Sequence, residues 1–504
     1  MFIHLHTHSP YSFLDGASSL EELVRAAAQI GMKALALTDH NSLAAAVKFV
    51  TCCEEYRVKP ILGSELTLED GSHLTLLAQN PQGYGNLCRL ITAGYAHGGR
   101  LRPQTPWHAF VGRTEGLICL TGCRKGRLPS LIRAHHYSEA QTEAERLRAL
   151  FGPGNLYLEL QEDFYPDAHQ TCRDLAALGQ ELGLPVVATN NVHYVRRVDY
   201  ITHDVLRAIA TLTDRDAIHP DRPLNAERSL KSSQQMAALF AWCPEAVRNT
   251  VVIAEQCGSA LPPRADITPR YALREGWDAP GYLRHLAFKG AAFRYKGLTP
   301  AVSARLEHEL ALITDLGYAD YFLMVWGIVR WARKSGFRAM GRGSAADSCV
   351  AYSLTLTDVD VIQRDLPFSR FLTPGKTPDI DIDFPSEHRD AVFRYIIQQY
   401  GEEHVGMACT FHTYWSSSAM RDVGKALAIA PDVLATVSKH LSGFIRADQL
   451  DEAFERFAEL IPFRKYKERF RLLFELCGRI AGFPRHIGTH SSGIVISRVP
   501  LASL

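Results

Sequence analysis

No run of about eighteen apolar residues occurs in this sequence, so no segment meets the length that a membrane-crossing helix needs. There is also no Cys-x-x-Cys pair. The eleven cysteines are scattered without a repeated spacing, and only Cys52 and Cys53 adjoin. The opening residues, MFIHLHTHSPYS, carry neither a basic stretch nor an apolar core, so a secretory signal is not expected and the cysteines read as belonging to a reducing, cytoplasmic compartment. Net charge is nearly absent too, at +1, so any nucleic-acid surface must come from local clustering.

What is there is the composition of a folded protein: 46% hydrophobic and 22% charged residues. At 504 residues the chain is too long for one core, and two to four domains are expected. In the first third, short apolar runs alternate with amphipathic helical segments. FIHLHTH, KALALTDH, KPILGSELTL, HLTLLAQN, GLICLTGC, NLYLEL and PVVATNNVHY read as strands, with helices such as SLEELVRAAAQIG between them. That order argues for an α/β fold with a largely parallel sheet or barrel, whose strand C-termini carry the chemistry. Residues 257–282, rich in Pro, Gly and charge, read as a linker, with a boundary near 270. A long amphipathic segment follows from Thr299, then a glycine loop and an aspartate strand. Residues 431–480 read as helical, and HSSGIVIS as a strand.

The first constellation is rich in histidine. By period-two alternation His4, His6 and His8 share one face of the first strand, with Asp15 in the following turn. Asp39 and His40 end the next strand, Glu65 the one after, and His73, Cys123 and His193 lie at or near later strand ends. A lone histidine there would be an ordinary polar residue. Imidazoles and carboxylates gathered on successive strand ends suit zinc, manganese or iron. The pattern resembles the PHP (polymerase and histidinol phosphatase) domain. That resemblance implies a βα barrel over residues 1–270, phosphoester hydrolysis, and Zn²⁺ or Mn²⁺ held by His6, His8, Asp15, His40, Glu65, His73, Cys123 and His193. Two positions depart from the family pattern: Asn191 stands where an aspartate is usual, and LELQEDF puts Asp163 where polymerase relatives often carry histidine. An amide oxygen is a weaker, uncharged ligand, so a complete cluster is in question.

The second constellation is AMGRGSAADS (339–348) with PDIDIDF (378–384). Gly341 and Gly343 permit close backbone approach, Arg342 offers a guanidinium, and Ser344 is placed to cap a helix from Ala345. Alone, this loop is equally a tight turn with an exposed arginine, and it lacks the Gly-Lys-Ser/Thr of a Walker loop. In the aspartate segment Asp379, Asp381 and Asp383 point one way while Ile380 and Ile382 pack behind. Like charges at that spacing repel unless cations lie among them, which suits Mg²⁺ and a triphosphate.

Together with YADYFLMVWGIVRWAR, SAMRDVGKAL and RHIGTHSSGIVIS, in this order, the sequence resembles the bacterial family C DNA polymerases, the DNA polymerase III alpha subunit family. MRDVGKALAI and FPRHIGTHSSGIVIS look closer to its error-prone branch. The resemblance implies a first part of an α+β, nucleotidyltransferase-like palm at 271–430, a helical thumb inserted at 431–480, and a return to the palm at 481–504. It implies DNA-directed DNA synthesis in replication or repair, with primer–template DNA and deoxynucleoside triphosphates as substrates and replication or translesion factors as partners. Asp379 and Asp381 would hold Mg²⁺, with Asp383 beside them. Gly341, Arg342, Gly343, Ser344, Arg370, Arg421 and Lys425 would contact nucleotide or template. Arg464, Lys465, Lys467, Arg469 and Arg471, on a helical stretch with aromatics, would grip DNA phosphates. The family's third palm aspartate and fingers are expected beyond Leu504, supplied by a longer product or a second chain. Two rival readings stand beside the polymerase: a PHP-type phosphoesterase or 3'-5' exonuclease, and a non-catalytic DNA-binding remnant.

Overall fold

The structure, a computed structural model, describes residues 1–263, 267–440, 447–449, 452, 455 and 470–504. The chain divides into two compact units, one of residues 1–263, 409–489 and 502–504, the other of 264–408 and 490–501.

In the first unit a six-stranded sheet runs in sequence order: β1 (Ala34–Leu37), β2 (Lys59–Thr67), β3 (His73–Ala78), β4 (Leu117–Leu120), β5 (Leu156–Gln161) and β6 (Val186–Thr189). β1–β2, β4–β5 and β5–β6 are parallel, but β3 is antiparallel to both neighbours. The expected parallel order is therefore broken there, because only the short turn of residues 68–72 joins β2 to β3 and a parallel crossover needs a dozen residues or more. The N-terminal segment joins the two edges, bridging Leu35 through His4 and Val192 through Thr7.

Both faces of the strands are buried. One set of side chains packs under the surrounding helices, among them Phe49, Leu62, Leu76, Leu117 and Leu158. The other fills the barrel: Ile3, Leu5, Ile61, Leu77, Ile118, Leu120, Tyr157 and Val187. On β2, β5 and β6 the same alternation leads from Ile61 to Glu65, from Tyr157 to Glu159 and from Val187 to Thr189. The interior is thus apolar at one end and polar at the other. Alternation slips in the N-terminal segment. Leu5 belongs to the apolar interior, yet His6, next in the chain, bonds Glu159 there, while His4 bonds the Lys231 carbonyl. The three histidines do not share one strand face, and the segment makes isolated bridges rather than a ladder.

The first helix, Leu20–Gln29, starts as its sequence suggests, on a reciprocal Ser19–Glu22 capping box. Of the region read as helical beyond 430, the described residues show helices Pro431–His440 and Arg471–Arg479 and a 3₁₀ turn at Ala447–Gln449. A further two-stranded sheet pairs β9 (Val405–Thr413) with β10 (Pro484–Ile496), longer than the strand expected from HSSGIVIS.

In the second unit the long amphipathic segment is two helices, Pro300–Asp315 and Ala319–Lys334, bent by 112° at a break where Gly317 takes φ +76°. Among the described residues no single helix is long and apolar enough to cross a membrane. With Ala279–Arg294 these helices bury Leu283, Leu306, Phe322 and Val350 behind a ribbon of β7 (Met340–Arg342) and β8 (Asp381–Asp383). The buried carboxylate of Glu309 organises the chain after the glycine loop. It accepts from Ser348 Oγ (2.8 Å), Cys349 N (2.9 Å) and Val350 N (3.0 Å), and Arg305 donates to it at 2.6 Å. Arg305 also donates to the carbonyls of Asp347 and Leu366. The side chain that caps helix Cys349–Ser353 is Ser348, not Ser344, which lies inside a 3₁₀ turn (Gly343–Asp347). Replacing Glu309 by Ala strands those donors and the Arg305 charge. Urea unfolding should show a loss of about 3 kcal/mol or more, and a loss under about 1 kcal/mol would contradict this role.

Candidate functional site

The polar end of the barrel gathers the histidines around Glu65. Its Oε2 lies 3.0 Å from His40 Nδ1, 3.4 Å from His8 Nε2 and 3.5 Å from His6 Nε2, and its Oε1 lies 3.1 Å from His73 Nδ1. Cys123 Sγ is 3.5 Å from His73 Nδ1. Asp15 meets His40 at 3.3 Å, His193 at 3.4 Å, and His203 and Arg207 at 3.5 Å. All eight residues expected at the metal site are therefore brought together. Their donor atoms fall into overlapping sets: His6–His8–Glu65, His40–Glu65–His73, His8–His40–His193 and Asp15–His193–His203, each within 4.8 Å.

The rings are oriented from behind. His6 Nδ1 donates to Glu159 Oε1 at 2.7 Å. Ser12 Oγ donates to Asp39 Oδ1 (2.7 Å) and so accepts from His8 Nδ1 (3.0 Å). His193 Nδ1 donates to the Asn191 carbonyl (2.7 Å), and His203 Nδ1 to the Asp15 carbonyl (2.8 Å). Each of these bonds uses Nδ1 and leaves Nε2 for the interior, as neighbours of metal-bound imidazoles do. Asp39 itself is turned away, taking Ser9 N, Ser9 Oγ and Ser12 Oγ, and burial raises its carboxyl to about 6. Sequence reasoning missed Glu159 and His203. The available signal was an acid at a core position of an apolar strand, and a histidine on the buried face of helix Tyr200–Thr211.

This donor set fits a divalent cation. Among the described residues Asp15 Oδ1, Glu65 Oε2, Asn191 Oδ1 and His203 Nε2 are buried with no hydrogen-bond partner, and such atoms are costly unless something charged meets them. His6 Nε2 and His8 Nε2 face each other at 3.2 Å. Burial opposes charge on His6, but Glu159 and Glu65 outweigh it and push the imidazole up to about 10. Burial and the surrounding imidazoles hold His8 well below the usual range. Without a cation, then, His6 carries a proton on Nε2, which faces His8 Nε2 at 3.2 Å. Burial and Glu65 push the Cys123 thiol well up, so it too needs a cation to ionise.

A cavity of about 1200 Å³ opens in front of Asp15, His40 and His73, and Arg100, Lys125, Arg207, Lys425 and Arg485 line it. Lys425 and Arg421 lie on helix Ser416–Ala426 in this first unit. Of the expected thumb cations, Arg471 is exposed at the start of its helix, and Arg464, Lys465, Lys467 and Arg469 lie outside the described residues.

The second constellation stands in the second unit. Asp379, Asp381 and Asp383 are exposed while Ile380 is buried and Ile382 packs against the core, so the aspartates share one face. Antiparallel pairing sets Arg342 opposite Asp381 and Gly341 opposite Ile382. Arg342 Nε lies 3.0 Å from Asp383 and 4.0 Å from Asp381, so a guanidinium of the chain itself already offsets part of the repulsion. A Cβ on Gly341 would come within 2.6 Å of the Leu356 carbonyl, and Gly343 has φ +65° with Asp381 beside it. Ser344 Oγ is 3.5 Å from the Asp379 carbonyl, and Arg370 is 3.5 Å from buried Asp347.

Two family profiles match: the PHP domain over residues 4–163, and the bacterial DNA polymerase III alpha NTPase domain over 281–504. The chain carries a DNA polymerase III alpha domain and a PHP domain. It is 47% identical to the error-prone DNA polymerase of Symbiobacterium thermophilum, over 99% of this chain and 48% of that one. Identity is 36% to the DNA polymerase III subunit alpha of Treponema pallidum (99% and 44%), and 34% to the error-prone DNA polymerase of Mycobacterium tuberculosis (100% and 46%). The chain thus spans about half the length of these curated relatives.

Because a cation in the His6–His8–Glu65 set displaces the His6 proton, cation binding must release that proton. Affinity for Mn²⁺ should rise about tenfold per pH unit between pH 6 and 9. Calorimetric titration in buffers of different ionisation enthalpy checks this, and a pH-independent affinity with no proton release would contradict it.

Proposed function

We propose that this chain supplies the carboxylate face of a template-directed DNA polymerase, joining deoxynucleotides to a primer paired with template DNA. The observation that carries this reading is the exposed row Asp379, Asp381 and Asp383, backed by buried Ile380 and partly buried Ile382 and flanked by a glycine loop where, among the described residues, a Cβ on Gly343 would meet only the Asp381 side chain. Asp379 and Asp381 are the residues to hold Mg²⁺, which when bound activates the attacking oxygen and stabilises the leaving one. The chain's own part is to hold those carboxylates in place through the β7–β8 pairing, and to keep the loop open for a triphosphate through Gly341 and Gly343. Arg342 neutralises Asp383. The test is primer extension by the polymerase that contains this chain. Asp381→Ala should lower the rate on the order of a thousandfold or more, with little loss of primer–template affinity. Unaltered extension would overturn the proposal.

A second reading is favoured by the oriented imidazoles and the basic cavity in front of them: the barrel site hydrolyses a phosphoester. Its residues would hold Zn²⁺ or Mn²⁺, which when bound supplies a water ionised near neutral pH. Arg100 and Lys425 would draw in the phosphate, while Lys125, Arg207 and Arg485 already meet Asp221, Asp15 and Asp422. Mn²⁺-dependent release of terminal nucleotides from single-stranded DNA should fall by about a hundredfold or more in Glu65→Gln. Release that persists in that variant, or no release by the Mn²⁺-loaded parent, would exclude this reading.

A further inference from the structure

On the second unit, between helix Ala319–Lys334, helix Arg389–Tyr400 and the extended chain at Tyr271, lies a cavity of about 390 Å³. None of the chemistry proposed above uses it. Its volume falls within the range of about 300–1,000 Å³ usual for small-molecule sites. Among the described residues its lining contains no carboxylate. Arg330 and Lys334, four residues apart on one helix face, line it and are exposed. Arg270 also lines it but is already paired with Asp320 at 2.9 Å.

The remaining wall is aromatic. Trp331 and Tyr395 stack in parallel, 4.1 Å between centroids and 7° apart, which fixes both rings. Tyr271 lies over the backbone at Gly327, where an added Cβ would come within 3.1 Å of the ring. Tyr400 completes the wall. Burial raises the phenols of Tyr271, Tyr395 and Tyr400, and Tyr395 adds to it at Tyr400, so all three remain donors at neutral pH. The Arg330 guanidinium lies 4.9 Å from the Trp326 ring centre, so it is held against a ring face.

Cations without acids select an anion, and fixed guanidinium, ammonium and phenol donors suit phosphate oxygens. Fixed aromatic surface beside them suits a base, as in platforms that bind single-stranded nucleic acid. We propose that this cavity binds a nucleoside phosphate, its phosphate on Arg330 and Lys334 and its base against the Tyr271, Trp331 and Tyr395 rings. Free deoxynucleotide and one unit of a single strand share that chemistry.

Photo-crosslinking distinguishes the two sources. One arm uses 8-azido-dATP, the other a short single strand carrying 5-iodouracil, each followed by peptide mapping. Adducts are expected on the peptides of Tyr271, Trp331 or Tyr395. They should fall about tenfold or more in the double variant Arg330→Ala, Lys334→Ala, whose circular dichroism should be unchanged because both side chains are exposed. Labelling by the azido nucleotide alone assigns a free-nucleotide site, and labelling by the oligonucleotide alone assigns a strand contact. Labelling by both confirms the shared nucleotide chemistry. Adducts should persist in Asp381→Ala. Their loss there would assign them to the aspartate strand and overturn the proposal, as would their absence or their persistence in the double variant.

Discussion

A carboxylate buried as fully as that of Glu65 is costly unless positive charge gathers around it. Four imidazoles crowd it, from the N-terminal segment, from the turn after β1 and from β3, and that of His6 brings the charge. Against burial, the His73, His40 and His6 rings hold the Glu65 carboxyl well below the ordinary carboxylate range. The same charge brings the ends of the barrel together, because His6 and His8 reach it only when residues 4–7 lie between β1 and the chain after β6. Fold and site are therefore one problem. Closure of the barrel places the ligands, and the cluster gives the closing segment a reason to stay.

The two constellations handle like charges differently. In the barrel, Asp15, Glu65 and Glu159 are buried, and imidazoles plus Arg207 surround them. On β8 the aspartates stay in water, where repulsion is weak, and Arg342 answers Asp383. An exposed row is open to a large charged substrate, whereas a buried cluster admits only what its cavity passes. The first arrangement suits a triphosphate on DNA and the second a phosphoester end, which is how the two proposals divide between the units.

Much of this was legible in the sequence where chemistry and period coincide. The histidine cluster stood out because His4, His6 and His8 lie within five residues, although only His6 and His8 reach Glu65. The aspartate row was legible because polar and apolar residues alternate strictly, and exposure follows that alternation residue by residue. What escaped depended on contacts distant in sequence. Glu159 orients His6 across 153 residues and looked like one acid in an apolar strand. His203 looked like a helix residue. The slip between Leu5 and His6 hid because alternation was assumed to continue. The break at Gly317 hid because both flanking helices are apolar enough to read as one. Ser344 and Ser348 are equally good caps by type, and only buried Glu309 decides between them.

Glu65 belongs to two adjoining donor sets, His6–His8–Glu65 and His40–Glu65–His73, and so is placed to bridge two cations. Low-temperature electron paramagnetic resonance of the Mn²⁺-loaded chain tests it most directly. The account predicts an exchange-coupled multiline spectrum that collapses to isolated six-line signals in Glu65→Gln. An uncoupled six-line spectrum from the parent chain at full Mn²⁺ loading would contradict it.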